Sequence, residues 1–252
     1  MRYKNFGLAL VCASFFTGTA FAQATAHPAG HWSYKGNSGP SHWSELGQDS
    51  TACKVGHAQS PIDIHGAASK TLTPIDFHYV PAGGEIVNNG HTVQINLNDA
   101  GSVGLQSGDY KLVQFHFHTP SEETFNGKHY PLVAHLVHKN AAGELAVVAV
   151  LFKQGRENAA LKQVFSDFPA VAGDKHALRA ELDLMATLPK NHAYYAYTGS
   201  LTTPPCSEGV HWQVMKEPAE ISKHQLSAFR KLYSMNARPV QPLHGRVVDF
   251  GG

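Results

Sequence analysis

Apolar and polar positions along this chain fall into short runs of strand length, separated by turn residues. Ile75 to Val80, Gly84 to Val87, Thr92 to Leu97, Tyr110 to His118, Leu132 to His138, Leu145 to Phe152, Tyr194 to Tyr197 and Gly209 to Met215 are each apolar or alternating. Clusters such as Asn88-Asn89-Gly90 and Asn98-Asp99-Ala100-Gly101 punctuate them. The pattern predicts a mainly β protein. Helical periodicity is confined to Asn158 to Phe165, with Leu161, Val164 and Phe165 on one face, and Ser222 to Tyr233, with Leu226, Phe229, Arg230 and Tyr233 on one face. Short helices should therefore decorate a sheet. No repeat or linker interrupts the chain, so one domain is expected. The first fifty residues are irregular in pattern. Trp32, Tyr34 and Trp43 nevertheless argue that this region docks on the main body, because tryptophan's apolar area is costly to leave in water.

Within this pattern, Gln114-Phe115-His116-Phe117-His118, then Glu122, then His135-Leu136-Val137-His138 carry the chemistry. Side chains on a strand alternate faces, so His116 and His118 project to one side while Phe115 and Phe117 pack into the other. Asn126-Gly127 has the composition of a tight hairpin turn, and a hairpin centred there places His135 roughly opposite His118. Three neutral imidazoles with a free fourth position describe a catalytic zinc site; structural zinc is closed by four ligands, usually including Cys. In a chain with 17 histidines a lone His-x-His carries little weight. The interleaved Phe residues, and the second β-rich run from Tyr130 to His138, give it weight.

Composition adds compartment and excludes some partners. Met1 to about Ala22 has a basic start (Arg2, Lys4), an apolar stretch from Phe6 to Phe16, and small residues at Ala20 and Ala22. This reads as a secretory signal peptide over 1–22, leaving 23–252 as an exported domain, periplasmic or secreted. No later segment approaches the roughly 20 apolar residues of a membrane span. Without Arg2 and Lys4, the 20 basic residues fall to 18 against 19 acidic ones, with no long run of either sign. Nothing here is built to hold nucleic acid. Cys12 leaves with the leader, so Cys53 and Cys206 remain, an even count that in an oxidising compartment suggests one disulfide; two unrelated buried thiols are the alternative.

From about Trp32 to Phe250 the chain resembles the α-class carbonic anhydrases of the bacterial branch. The resemblance rests on motifs in one order: His31-Trp32-Ser33-Tyr34, Gln59-Ser60-Pro61-Ile62-Asp63-Ile64, Asn88-Asn89-Gly90-His91, the histidine runs above, Thr198-Gly199-Ser200-Leu201-Thr202-Thr203-Pro204-Pro205-Cys206, and Asn236-Ala237-Arg238-Pro239. It implies a mainly β fold (α+β by count), a single domain around a large, twisted, mostly antiparallel sheet with a few short peripheral helices. It also implies a zinc enzyme that reversibly hydrates carbon dioxide to bicarbonate and a proton through zinc-bound hydroxide. His116, His118 and His135 match the metal ligands. Thr202 and Glu122 match the pair that orients the hydroxide, and His91 matches the proton shuttle. Val137, Val147, Leu201 and Trp212 match the apolar substrate wall, with Thr202 and Thr203 beside it, and Tyr34 matches a residue that orders the water chain. Cys53 and Cys206 match the disulfide of bacterial members. Sulfonamide or anion inhibitors and a homodimer follow from the same resemblance.

Metal-bound histidines usually donate their second nitrogen to an acceptor. Gln114 matches the partner of His116, and the Asn236 carbonyl that of His118. The third partner departs from the pattern: where family members commonly carry Glu, this chain has Val133, and where they carry His after Ser-Glu, it has Glu123. The expectation is that Glu123 replaces the missing carboxylate behind His135. Two other readings stand beside this one: a carbonic-anhydrase-like binding protein without activity, and a cupin-type metal oxygenase in which Glu122 is a ligand.

Overall fold

The structure is a computed structural model, and it describes Met1 and residues 31–252; the proposed signal peptide, Met1 apart, lies outside the described residues. Strand Leu145–Gln154 has no polar face over its first eight residues. Ala146, Val148, Val150 and Phe152 enter one apolar cluster, while Val147, Ala149 and Leu151 enter another on the opposite face. A strand covered on both sides must be apolar at every position, which is why this run does not alternate. Leu132–Lys139 pairs with it antiparallel on one side, and Glu208–Met215 parallel on the other.

Around this centre the main sheet runs, in spatial order, Lys175–Ala177, Gly84–Asn88, Val93–Leu97, Gly108–His118, Leu132–Lys139, Leu145–Gln154, Glu208–Met215, Tyr194–Ser200, Asp249–Gly251 and Ala68–Ser69. Asp76–Tyr79 and Gly101–Leu105 extend the strand Gly108–His118, and Ala219–Ile221 joins Leu145–Gln154. The sheet is mixed but mostly antiparallel. A small second sheet joins Asp63–Ile64, Thr124–Phe125 and Lys128–His129. The fold is thus mainly β and a single domain, as the pattern indicates. Helices cover the face of the larger apolar cluster: Phe117 packs against Phe165 and Phe229, from helices Lys162–Ser166 and Lys223–Leu232. Ser222 and Gln225 close a capping box at the start of the second helix. The predicted helix from Asn158 instead begins at Lys162, because the Asn158 side chain takes the Leu161 N–H in a turn (3.1 Å).

The expected hairpin register needs correction. Asn126 and Gly127 do form a tight turn with positive φ (49° and 73°), joining Thr124–Phe125 to Lys128–His129. The longer strands pair differently: Val133 faces His118, and His135 faces His116. Residues 119–123 fill one arm between the inner and outer ladders and 130–132 the other, so the arms differ by two residues. An even offset keeps every side chain on its face, and His135 therefore still shares a face with His116 and His118.

Candidate metal centre

Each imidazole is oriented from behind by an acceptor. His116 Nδ1 donates to Gln114 Oε1 (2.8 Å), and His118 Nδ1 donates to the Asn236 carbonyl (2.7 Å). Because a carbonyl oxygen only accepts, the proton is fixed on Nδ1 and the Nε2 lone pair faces forward. His135 is turned the other way: its Nε2 faces Glu123, 3.2 Å from Oε1 and 3.4 Å from Oε2, leaving Nδ1 forward. Glu123 is completely buried, and Val133 sits in the apolar cluster. One ligand atom from each of the three histidines lies within 4.8 Å of the others.

Two carboxylates back this point. Glu122 Oε1 accepts from the Arg238 N–H (2.7 Å), while Oε2 lies 3.6 Å from His118 Nε2 and 3.8 Å from His135 Nδ1. His118 Nε2 is buried without a hydrogen-bond partner, and the three forward nitrogens form a donor set that fits a cation, with the unpartnered Glu122 Oε2 behind them. Burial and the neighbouring charge on His135 lower His116 to about 3, and His118 falls well below its ordinary value for the same reasons with His116 added. Both rings are thereby held neutral, the form that ligates metal. Burial would also lower His135, but the Glu123 carboxylate, its hydrogen bond and Glu122 outweigh it and raise that ring. Burial pushes Glu122 up to about 7, against the pull of His135, the Arg238 N–H and the Thr202 hydroxyl.

Thr202 is buried on the loop after strand Tyr194–Ser200. That loop is tied down by reciprocal bonds between Ser60 and Ser200 (2.9 and 3.1 Å), by Cys206 N–H to the Thr203 carbonyl (2.8 Å), and by the Cys53–Cys206 disulfide, whose Cα atoms stand 5.0 Å apart. Val137, Val147, Leu201 and Trp212 belong to the apolar cluster on the histidine face, with the Trp212 ring 4.9 Å from His135; Thr203 is half-buried on the same loop. His91 stands apart from the three imidazoles. It stacks on Trp32 (3.6 Å, 6°) with His31 6.4 Å away, beside a cleft that Tyr34 and Tyr233 also line. Tyr34 is raised well above its ordinary value by burial, then by the charges of Glu122 and Tyr233. Sequence reasoning passed over Trp32 as the ring beneath His91 and Arg238 as the donor to Glu122. Trp32 offered a signal, a tryptophan in the irregular N-terminal segment, whereas a backbone N–H offers none.

A twisted sheet that brings three oriented imidazoles to one buried point, against paired carboxylates, defines a mainly β protein with a histidine cluster positioned to bind a metal. Residues 38–251 match the family model described as eukaryotic-type carbonic anhydrase. A carbonic anhydrase of Klebsiella pneumoniae is 44% identical over 243 residues, covering 95% of this chain and 96% of its own length. Among solved structures, the α-carbonic anhydrase of Thermovibrio ammonificans in complex with the inhibitor sulfanilamide is 48% identical with a TM-score of 0.85, covering 87% of this chain and 98% of that one. The α-carbonic anhydrase of Photobacterium profundum is 43% identical with a TM-score of 0.83, over 87% and 100% of the two chains. The chain belongs to the α-carbonic anhydrase family. Its activity is that of a carbonic anhydrase, an enzyme of carbon dioxide hydration, and the open sheet excludes the small barrel of the cupin reading.

Proposed function

We propose that His116 Nε2, His118 Nε2 and His135 Nδ1 hold a catalytic zinc ion, at which carbon dioxide is reversibly hydrated, and that His91 relays the released proton. The observation that carries this reading is the convergence of three oriented ligand atoms within 4.8 Å, one of them buried without a partner. Zinc bound there supplies a water whose pKa falls to about 7, a value that comes from carbonic anhydrases as a class, and hence a nucleophile near neutral pH. Thr202 donates its hydroxyl proton to Glu122, whose Oε1 is already occupied by the Arg238 N–H, and its oxygen accepts from the nucleophile. The attacking lone pair is thereby aimed. Val137, Val147, Leu201 and Trp212 give apolar carbon dioxide a wall beside Thr202 and Thr203. Glu123 takes the place of the carboxylate missing at Val133 and holds the His135 tautomer. Tyr34 orders water between the metal and His91.

His91 is lowered from its ordinary 6.5 by burial first and by His31 second. Above that midpoint the ring is neutral and takes the proton; below it the ring is charged and cannot, so turnover rises as pH passes upward through the His91 midpoint. The disulfide, with no helix among the described residues long and apolar enough to cross a membrane, supports export to the periplasm or medium. The sulfanilamide complex of the Thermovibrio relative supports inhibition by sulfonamides. Stopped-flow hydration tests the whole reading. Chelator-stripped protein should be inactive and regain its rate with zinc, and His91→Ala should lose turnover that imidazole buffer restores. A stripped protein with unchanged rate would refute the zinc role, and an unimpaired His91→Ala the shuttle.

A further inference from the structure

Residues 236–238 touch several parts of the site at once. The Asn236 carbonyl accepts from His118, and its side chain binds the Thr119 N–H (2.8 Å), the Phe117 carbonyl (2.9 Å) and the His91 carbonyl (3.1 Å). Two residues on, the Arg238 N–H donates to Glu122. No regular strand or helix contains this segment, so its position depends on its anchors. The strongest candidate anchor is the Arg238 side chain, only 2% exposed. Its Nη1 donates to the Ser60 carbonyl (2.7 Å) and its Nη2 to the Cys53 carbonyl (3.1 Å), with the guanidinium 5.7 Å from the Trp43 ring. Among the described residues it forms no ion pair with a carboxylate, although burying a charge costs several kcal/mol unless its donors are satisfied. Here two backbone carbonyls, one belonging to a disulfide cysteine, each take one of its donors.

We propose that Arg238 is a positioning residue that links the Cys53–Cys206 disulfide to the metal centre: the disulfide fixes the Cys53 carbonyl, that carbonyl and Ser60 fix the guanidinium, and the guanidinium fixes the backbone that orients His118 and Glu122. This rests on the zinc reading given above. A dithiol reductant delivers two electrons and two protons to the S–S bond, which breaks into two thiols as the dithiol closes to its own disulfide. The short helix Ala52–Val55 is then released from the loop of Thr202, and Arg238 loses a fixed acceptor. The guanidinium, rather than the disulfide alone, carries that change to the ligands.

Arg238→Lys keeps the charge and the backbone N–H but cannot span two carbonyls, so its effect reports the side chain alone. Zinc affinity by chelator competition, with kcat and KM for hydration, should be compared in the wild type, Arg238→Lys, Cys53→Ser/Cys206→Ser and the triple variant, all below their unfolding temperatures. Each partial variant should weaken zinc about 10-fold, on the scale of partners that orient metal ligands, and lower kcat with KM little changed. The triple variant should be no worse than the weaker of the two, because both act on one linkage. Losses that multiply in the triple variant, or an Arg238→Lys protein with a lower melting temperature and unaltered zinc affinity, would overturn the link. If Arg238→Lys does not fold, the disulfide-free variant decides: unchanged zinc affinity there overturns the inference. A wild type that binds no zinc overturns the metal reading and this inference together, whereas normal wild-type binding with unaffected variants overturns this inference alone.

Discussion

On one side of the candidate metal centre, strands Gly108–His118 and Leu132–Lys139 deliver three imidazoles from a ladder; on the other, the loops around residues 52–61, 119–123, 201–208 and 236–242 deliver Thr202, Glu122, Glu123 and the carbonyl behind His118. The strand side needs only alternation and burial, since Phe115 and Phe117 in the core leave His116 and His118 nowhere to point but forward. The loop side has no ladder and is held by side-chain bonds to backbone, a disulfide and a buried arginine. Placement of the three imidazoles therefore belongs to the sheet, which through Gln114 also orients His116, and the orientation of His118 and His135 belongs to the loops. Each half should fail under a different insult.

Reductant should strike the loop half hardest. The disulfide spans 153 residues of sequence, and chain-entropy scaling gives about 5 kcal/mol as the upper bound of its contribution. Denaturant unfolding of Cys53→Ser/Cys206→Ser should show a loss approaching that, and equal stability with and without the bridge would contradict it. Acid should strike the strand half. His138, at the far end of the ligand strand, meets the Tyr79 hydroxyl at 2.7 Å, and burial lowers it from 6.5 to about 4. The unfolded chain binds this proton first, so the stability it contributes is complete above pH 6.5 and is lost as pH falls to about 4. The loss is about 3 kcal/mol at 1.36 kcal/mol per pH unit. His138→Gln should flatten the stability profile in that window; an unchanged slope would assign the acid loss elsewhere.

Smaller effects separate placement from orientation. Thr202→Ala should cost about 10²-fold in kcat/KM, the scale of a misaligned nucleophile, with zinc content intact; zinc loss instead would mean that Thr202 supports the ligands. Glu123→Gln should weaken zinc about 10-fold in chelator competition, and no change would leave His135 oriented by some other group. Smallest is the tuning of His91. Its imidazole NMR signals should titrate below 6.5, and His31→Ala should move the midpoint upward because a cationic neighbour is removed. A midpoint that stays put would leave burial as the sole cause.

The strand half was largely legible in the sequence. Leu132–Lys139 and Leu145–Gln154 lie within two residues of the runs that predicted them, because both clusters demand apolar side chains there. Gly101–Leu105 escaped because its glycines and serine read as a turn. The hairpin arithmetic missed by two residues, since it assumed equal arms, and the longer arm, 119–123, is the one that carries Glu122 and Glu123 beneath the imidazoles. The loop half was legible only through the family resemblance. Contacts such as the Arg238 N–H on Glu122 or the Asn236 carbonyl behind His118 use backbone groups that every residue possesses, and they span 116 and 118 positions that no local pattern connects.

The central claim, one cation held by three imidazoles of differing tautomer, is tested most directly by anomalous diffraction at the zinc edge from crystals grown with zinc. The account predicts a single strong peak at about 2.0–2.1 Å from His116 Nε2, His118 Nε2 and His135 Nδ1, with His135 Nε2 still on Glu123. A peak coordinated by Glu122 or Glu123, or approached by His135 through Nε2, would contradict it.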